Sequence, residues 1–192
     1  MSIGPVLSWD LNPDPSATSA KEAIVVDTRD KLPAITLQPE AGERRWFYGG
    51  GVHLWKPTEA QTAGAFLLFE DQLEKGKDTP LHTHPASDET MIVLSGEIVM
   101  HLDGYESRIG AGGMVMAPRG MAHAFKVTQD ATRVLCLHTP GVCQAFYWDA
   151  SVKLEAGAPG VGPVDFGRVV ASAQRNGGIN IVGPSPFAST DA

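Results

Sequence analysis

Three histidines and one glutamate, held in two short stretches, are the residues whose types and spacing could do chemistry. The first stretch runs from Gly76 to Gly96 and holds His82, His84 and Glu89. In an extended chain the side chains alternate, so His82 and His84 point to one side, about 7 Å apart at Cα. Two imidazoles so placed can converge on one ion. Pro85 has no N–H to give to a strand ladder and interrupts it; a strand resuming at Glu89 brings a carboxylate to the same point. The second stretch, Gly112 to Val127, turns at Pro118–Gly120 and then sets His123, Phe125 and Val127 on one face. A single histidine on an apolar face is most simply a hydrogen-bonded core residue. Three of them, with a glutamate, in two Gly/Pro-punctuated strands point instead to a divalent transition metal. Nitrogen and oxygen donors without thiolate suit Fe, Mn, Ni, Co, Cu or Zn. Four such ligands leave open positions in a five- or six-coordinate site, which is what a catalytic metal needs.

The elements that must position these residues are short strands and turns. The sequence predicts strands at Ala23–Asp27 and Ile35–Leu37, and a strand broken by a glycine hinge, Gly49–Gly51, between Arg44 and Trp55. Thr58–Thr62 reads as a polar connection and Ala65–Leu73 as an apolar strand leading into the first stretch. Glu97–Leu102 continues a hairpin begun at Gly96, and Asp103–Gly104 is a turn signal. Met114–Ala117, Thr132–His138 and the aromatic run Gln144–Trp148 read as further strands. His53 is a fifth metal-site candidate but, lying outside both stretches, is read as an ordinary strand histidine; His101 is read as non-ligating, and His138 as the end of a strand before Pro140 rather than a site residue. By alternation, the walls around the metal are expected to be Phe66, Leu68, Met91, Val93, Met116 and Phe125. They suit a flat, largely apolar substrate. Beyond a Gly/Pro/Ala linker at Lys153–Pro163, Phe166, Val169, Val170 and Ala173 mark the apolar stripe of a helix capped by Asp165 and stopped at Asn176–Gly177.

The first stretch resembles the first motif of the cupin superfamily, G-x5-H-x-H-x4-E-x6-G, with every position filled from Gly76 to Gly96. The second resembles the second cupin motif, G-x5-P-x-G-x2-H-x3-N, with Val127 in place of the frequent Asn. Fifteen residues, Glu97 to Ala111, separate them. The run from Gly178 to Pro186, G-I-x-I-x-G-P-x-P after the helix, is similar to the tail of small single-domain actinobacterial cupins related to quercetin (flavonol) dioxygenases. The resemblance covers roughly residues 44 to 187. It implies an all-β fold, a small jelly-roll barrel, with a C-terminal helix and an extended N-terminal arm. It also implies a metal held by His82, His84, Glu89 and His123, and a dioxygenase that cleaves a flavonol-like or enol/polyphenol substrate with O2. Glu89 is then the catalytic base that takes the substrate's hydroxyl proton. The alternatives are a metal-dependent isomerase or lyase acting on a small keto compound, and a non-catalytic cupin that binds a small ligand.

Length and composition bound the rest. The chain has 192 residues, 43% of them hydrophobic, with 21 Gly and 14 Pro, which suits one globular domain of many short strands. A net charge of −7 without a Lys/Arg cluster argues against nucleic acid and against anionic membrane as partners. Cys136 and Cys143, the only cysteines, form neither a CxxC pair nor a disulfide framework. No signal peptide or membrane span is evident, so a cytoplasmic location is the default expectation. The expected organisation is an N-terminal arm at 1–22, a cupin barrel at 23–150, and a linker, helix and tail at 151–192. Trp9, the one aromatic side chain of an arm rich in Pro, Ser, Asp and Asn, suggests a partner surface, and a homodimer is expected.

Overall fold

The computed structural model describes residues 32–155 and 166–187. The strand expected at 23–27, the arm with Trp9, the Asp165 cap and most of the linker lie outside the described residues. Among the described residues, twelve strands form two antiparallel sheets, with two helices beside them. In chain order the strands are β1 (Arg44–Phe47), β2 (Gly51–Trp55), β3 (Leu67–Leu73), β4 (Leu81–Thr83), β5 (Asp88–Ser95), β6 (Glu97–Leu102), β7 (Tyr105–Gly110), β8 (Met114–Ala117), β9 (His123–Val127), β10 (Thr132–Thr139), β11 (Val152–Lys153) and β12 (Asn180–Gly183). The helices are α1 (Gln144–Ala150) and α2 (Phe166–Asn176), and a 3-10 turn covers Ala60–Thr62. One sheet has the order β11-β1-β2-β3-β10-β5-β8, the other β12-β4-β9-β6-β7. This is the jelly-roll arrangement that the motifs imply.

The alternation of the sequence builds the space between the sheets. In β10 the buried residues are Thr132, Val134, Cys136 and His138, every second position. One apolar core takes Phe69, Met91, Val93 and Val134 from the first sheet and Ile98, Met100, Phe125 and Val127 from the second. Phe146 and Tyr147 of α1 and Val169 of α2 close it. The chain crosses between sheets at Gly96. Its φ is +76°, and a Cβ there would meet Thr132 Oγ1 at 2.1 Å, so only glycine fits. The tail adds a strand to each sheet: β11 pairs with β1, and β12 with β4.

Several local expectations give way. Ile35–Leu37 is irregular and exposed, hemmed by Pro33 and Pro39, neither of which can donate to a ladder. The glycines after Tyr48 make a true hairpin between β1 and β2, with Phe47 opposite Gly51. Gln144–Trp148 is helix, not strand. Cys143, Phe146, Tyr147 and Ala150 fall at i, i+3, i+4 and i+7, and α1 buries the last three of them. A five-residue aromatic run is compatible with either period, and contact with α2 decides it, where Ser172 Oγ donates to Phe146 O at 2.9 Å.

Candidate metal centre

The structure brings His82, His84, Glu89 and His123 together, all buried, with their donor atoms within 4.8 Å of one another. Backbone pairing does this. His82 of β4 lies directly opposite His123 of β9, and Glu89 of β5 lies between Ala117 of β8 and His138 of β10. The break at Pro85 moves the chain from one sheet to the other, so the motif's carboxylate faces its histidines across the barrel.

Each of the three imidazoles is oriented through Nδ1. His82 Nδ1 donates to Pro80 O, His84 Nδ1 to Gly178 O and His123 Nδ1 to Met121 O, all at 2.8 Å. A carbonyl only accepts, so Nδ1 carries the hydrogen and the neutral ring presents a bare Nε2. Two of these Nε2 atoms face Glu89 Oε2, His123 at 2.8 Å and His84 at 3.5 Å. A carboxylate oxygen and a bare ring nitrogen are both acceptors, and at such distances they require a proton or a cation between them. Donors about 2.1 Å from one ion lie about 3–4 Å apart, so this donor set fits a divalent metal with small adjustments.

The electrostatics favour a neutral His82 and a proton shared between Glu89 and His123. Burial and the neighbouring His123 and His84 push His82 down to about 3, so it stays neutral and able to ligate. Burial opposes the charge on Glu89, but hydrogen bonds shared with His123 and His84 outweigh it. They hold its carboxyl well below the usual carboxylate range. Burial lowers His123, and the Glu89 hydrogen bond more than offsets this, leaving it raised.

The second oxygen of Glu89 meets groups that alternation could have signalled but the motifs do not contain. His138 Nε2 lies 3.6 Å and Cys136 Sγ 3.4 Å from Oε1. Both share the buried face of β10 with Val134. Burial pushes His138 down to about 3 and the Cys136 thiol well up, so both are neutral. Tyr147, on the helix not foreseen, places its hydroxyl 3.5 Å from His84 Nε2.

A cavity with about 590 Å³ of empty space, mouth included, opens on His82 and Glu89. Its walls are largely aromatic: Phe47, Phe69, Phe125, Phe146 and Tyr147. Of the six expected wall residues, Phe125 lines it. Met91 and Val93 are buried in the core instead. Phe66, Leu68 and Met116 are corrected outright. In β3 the inward set is Leu67, Phe69, Asp71 and Leu73, and in β8 it is Val115 and Ala117, while Met116 is 49% exposed. A slip of one residue turns every side chain of a strand to the other face, and Ala65–Phe69 is apolar on both parities. His53, set aside as an ordinary strand residue, lines the cavity with Asp71 and Lys77. His101 stays outside it, 3.9 Å from Glu106.

Residues 69–139 match the cupin domain family, and part of the chain is similar to a quercetin dioxygenase. A curated relative is quercetin 2,3-dioxygenase of Bacillus subtilis, 25% identical over 131 residues, or 68% of this chain. The match spans only 39% of that relative's length. Among solved structures, KdgF from Halomonas sp. superposes with a TM-score of 0.50 at 17% identity, covering 56% of this chain and 94% of that one. A predicted oxalate decarboxylase from Thermotoga maritima gives 0.50 at 21% identity, over 55% and 99% of the two chains. These two likenesses bear on the fold alone. Among the described residues no helix is long and apolar enough to cross a membrane.

Proposed function

We propose that the protein is a metal-dependent cupin oxidoreductase, a dioxygenase acting on a flavonol-like or enol/polyphenol substrate. The observation that carries the reading is the convergence of three Nδ1-anchored imidazoles on Glu89. The similarity to quercetin 2,3-dioxygenase and the aromatic walls of the cavity support the substrate class. His82, His84, His123 and Glu89 would hold one divalent ion, which supplies charge stabilisation and a template for substrate and O2.

The chain's own residues do the remaining work. The aromatic walls exclude water and align a flat ring system. Glu89 has one oxygen toward the histidines and the other toward His138 and Cys136, so it can turn while staying hydrogen-bonded. Held ionised, it accepts the proton of the substrate hydroxyl. The neutral His138 and Cys136 carry no charge that would compete for that proton.

The test is metal analysis of protein purified without chelators, followed by O2 uptake with a panel of flavonols. Metal at about one equivalent with O2 consumed in step with flavonol loss is the expected result. A second reading, an O2-independent isomerase or lyase on a small keto compound, draws on the buried acid–base groups Asp71 and Lys77 in the same cavity. Turnover of such a substrate in anaerobic buffer would select it. The expected homodimer finds support in Leu94, Met114 and Met116, exposed on the strands at one sheet edge; light scattering of the purified chain tests it.

A further inference from the structure

The cavity has a second polar group that neither motif contributes. His53 of β2 lies opposite Asp71 of β3 in the sheet register, with Nε2 3.1 Å from Oδ1. Lys77, from the loop after β3, is buried beside them and donates its ammonium to Tyr48 O. All three line the same cavity as His82 and Glu89. His53 is clamped between two rings, with Phe47 at 4.5 Å and Phe69 at 4.6 Å between centroids, so its imidazole cannot swing away. Among the described residues, His53 Nδ1 is a buried atom without a hydrogen-bond partner, while Nε2 faces Asp71 Oδ1. An orphaned polar atom on a residue only 1% exposed is costly, and it calls for a ligand that satisfies it.

We propose that His53, Asp71 and Lys77 form a subsite that binds a neutral hydroxyl group of the substrate remote from the metal centre. The charges select that chemistry. Asp71 and Lys77 offset each other, and Glu89 adds a negative field, so an anion gains nothing here. Burial also holds His53 well below its usual range, so it offers a neutral ring rather than a cation. A hydroxyl can donate to the bare His53 Nδ1, and its own oxygen can accept from Lys77; Asp71, facing Nε2, keeps the ring hydrogen there and Nδ1 bare. The aromatic walls between the two polar ends then fit the flat ring that carries that hydroxyl. A substrate with two separated oxygen functions is read at both ends, and the subsite sets which ring substitution is accepted.

The inference rests on the cavity being a substrate site, as proposed above, but not on the use of O2. Its test therefore uses phenol and toluene as probes on the metal-loaded full chain, with affinities and imidazole 15N shifts followed by NMR. Phenol should bind about tenfold more tightly than toluene, the worth of one buried hydrogen bond, and should move the His53 resonances. His53→Phe and Asp71→Asn should each bring the ratio near one and leave toluene affinity unchanged. A preference for phenol that survives both substitutions, a His53 spectrum indifferent to phenol, or no phenol binding at all would overturn the subsite. The wild-type shift decides the matter even where a variant fails to fold. Failure of flavonols to drive O2 uptake would end the dioxygenase reading while leaving the phenol-to-toluene ratio as it is.

Discussion

Two groups of histidine and carboxylate share one cavity and are built differently. In the first, every histidine is fixed by an Nδ1–H bond to a backbone carbonyl, and Nε2 is turned inward toward Glu89. In the second, His53 is fixed by ring stacking, Nε2 faces Asp71, and Nδ1 has no hydrogen bond. Backbone anchoring sets the tautomer as well as the direction of the ring, which is what a metal ligand needs. Stacking sets direction, and the Asp71 carboxylate keeps the ring hydrogen on Nε2, leaving Nδ1 rather than Nε2 bare. The comparison teaches that burial beside a carboxylate does not by itself turn a bare nitrogen toward that carboxylate; the partner of the other nitrogen decides it.

The largest effect should separate the groups at once. His123→Ala should cost at least about a hundredfold in metal affinity, since removing even supporting partners costs ten- to a hundredfold. His53→Phe should leave metal content untouched. Elemental analysis of both variants checks this, and metal lost from His53→Phe would erase the distinction. Next is the carboxylate that joins the imidazoles. Glu89→Gln keeps an oxygen ligand but not a base, so part of the metal should stay while turnover falls about 10²- to 10⁴-fold. Turnover at the wild-type rate would end the role of Glu89 as the proton acceptor.

The same contrast governs how much the sequence could reveal. His82, His84, Glu89 and His123 were legible because their spacing is tied to turns at Pro85, Gly96, Pro118 and Gly120, which local chemistry fixes. The jelly roll was legible for the same reason, as short strands between turn residues. His138 and His53 were not, because each becomes a site residue only through strand register, opposite Glu89 and Asp71 respectively. Register is decided by pairing across long sequence distances, and nothing local to Thr132–Thr139 or Gly51–Trp55 announces it. Phe66, Leu68 and Met116 failed at the same step: the strand was right and its parity was not. The helix at Gln144–Ala150 failed on an ambiguity of period that only its packing resolves.

A smaller effect sharpens the anchoring argument from outside the two cupin motifs. Gly178 supplies the carbonyl that holds His84 Nδ1, at a φ of +80°. A Cβ there would lie 3.0 Å from Cys143 Cα. Gly178→Ala should therefore shift that carbonyl and lower metal affinity about ten- to a hundredfold without removing any ligand. Metal titration against a chelator would measure it. An unchanged affinity would mean that His84 keeps its orientation without this bond, and that the Gly178–Pro186 tail is independent of the centre.

The smallest effect concerns Asp88, next to Glu89 in β5 but facing outward. Its Oδ1 accepts from the Arg119 backbone N–H at 2.8 Å and from Nε at 3.1 Å, and Oδ2 accepts from Nη2 at 2.8 Å. This ties the β5 strand to the Pro118–Gly120 turn that precedes His123. The Arg119 hydrogen bonds pull Asp88 down to about 2, from an unfolded value near 3.8. A carboxyl whose folded pKa is depressed stabilises the fold above its unfolded pKa, and that contribution is lost as pH falls through the folded one. Wild type should therefore exceed Asp88→Asn in urea midpoint by a small margin at pH 6, and the margin should shrink between about pH 4 and pH 2. Both carboxyl and guanidinium are partly solvated, so salt should shrink it too. A margin constant across that pH range would show that the turn is held by the backbone N–H contact alone, which an asparagine oxygen also provides.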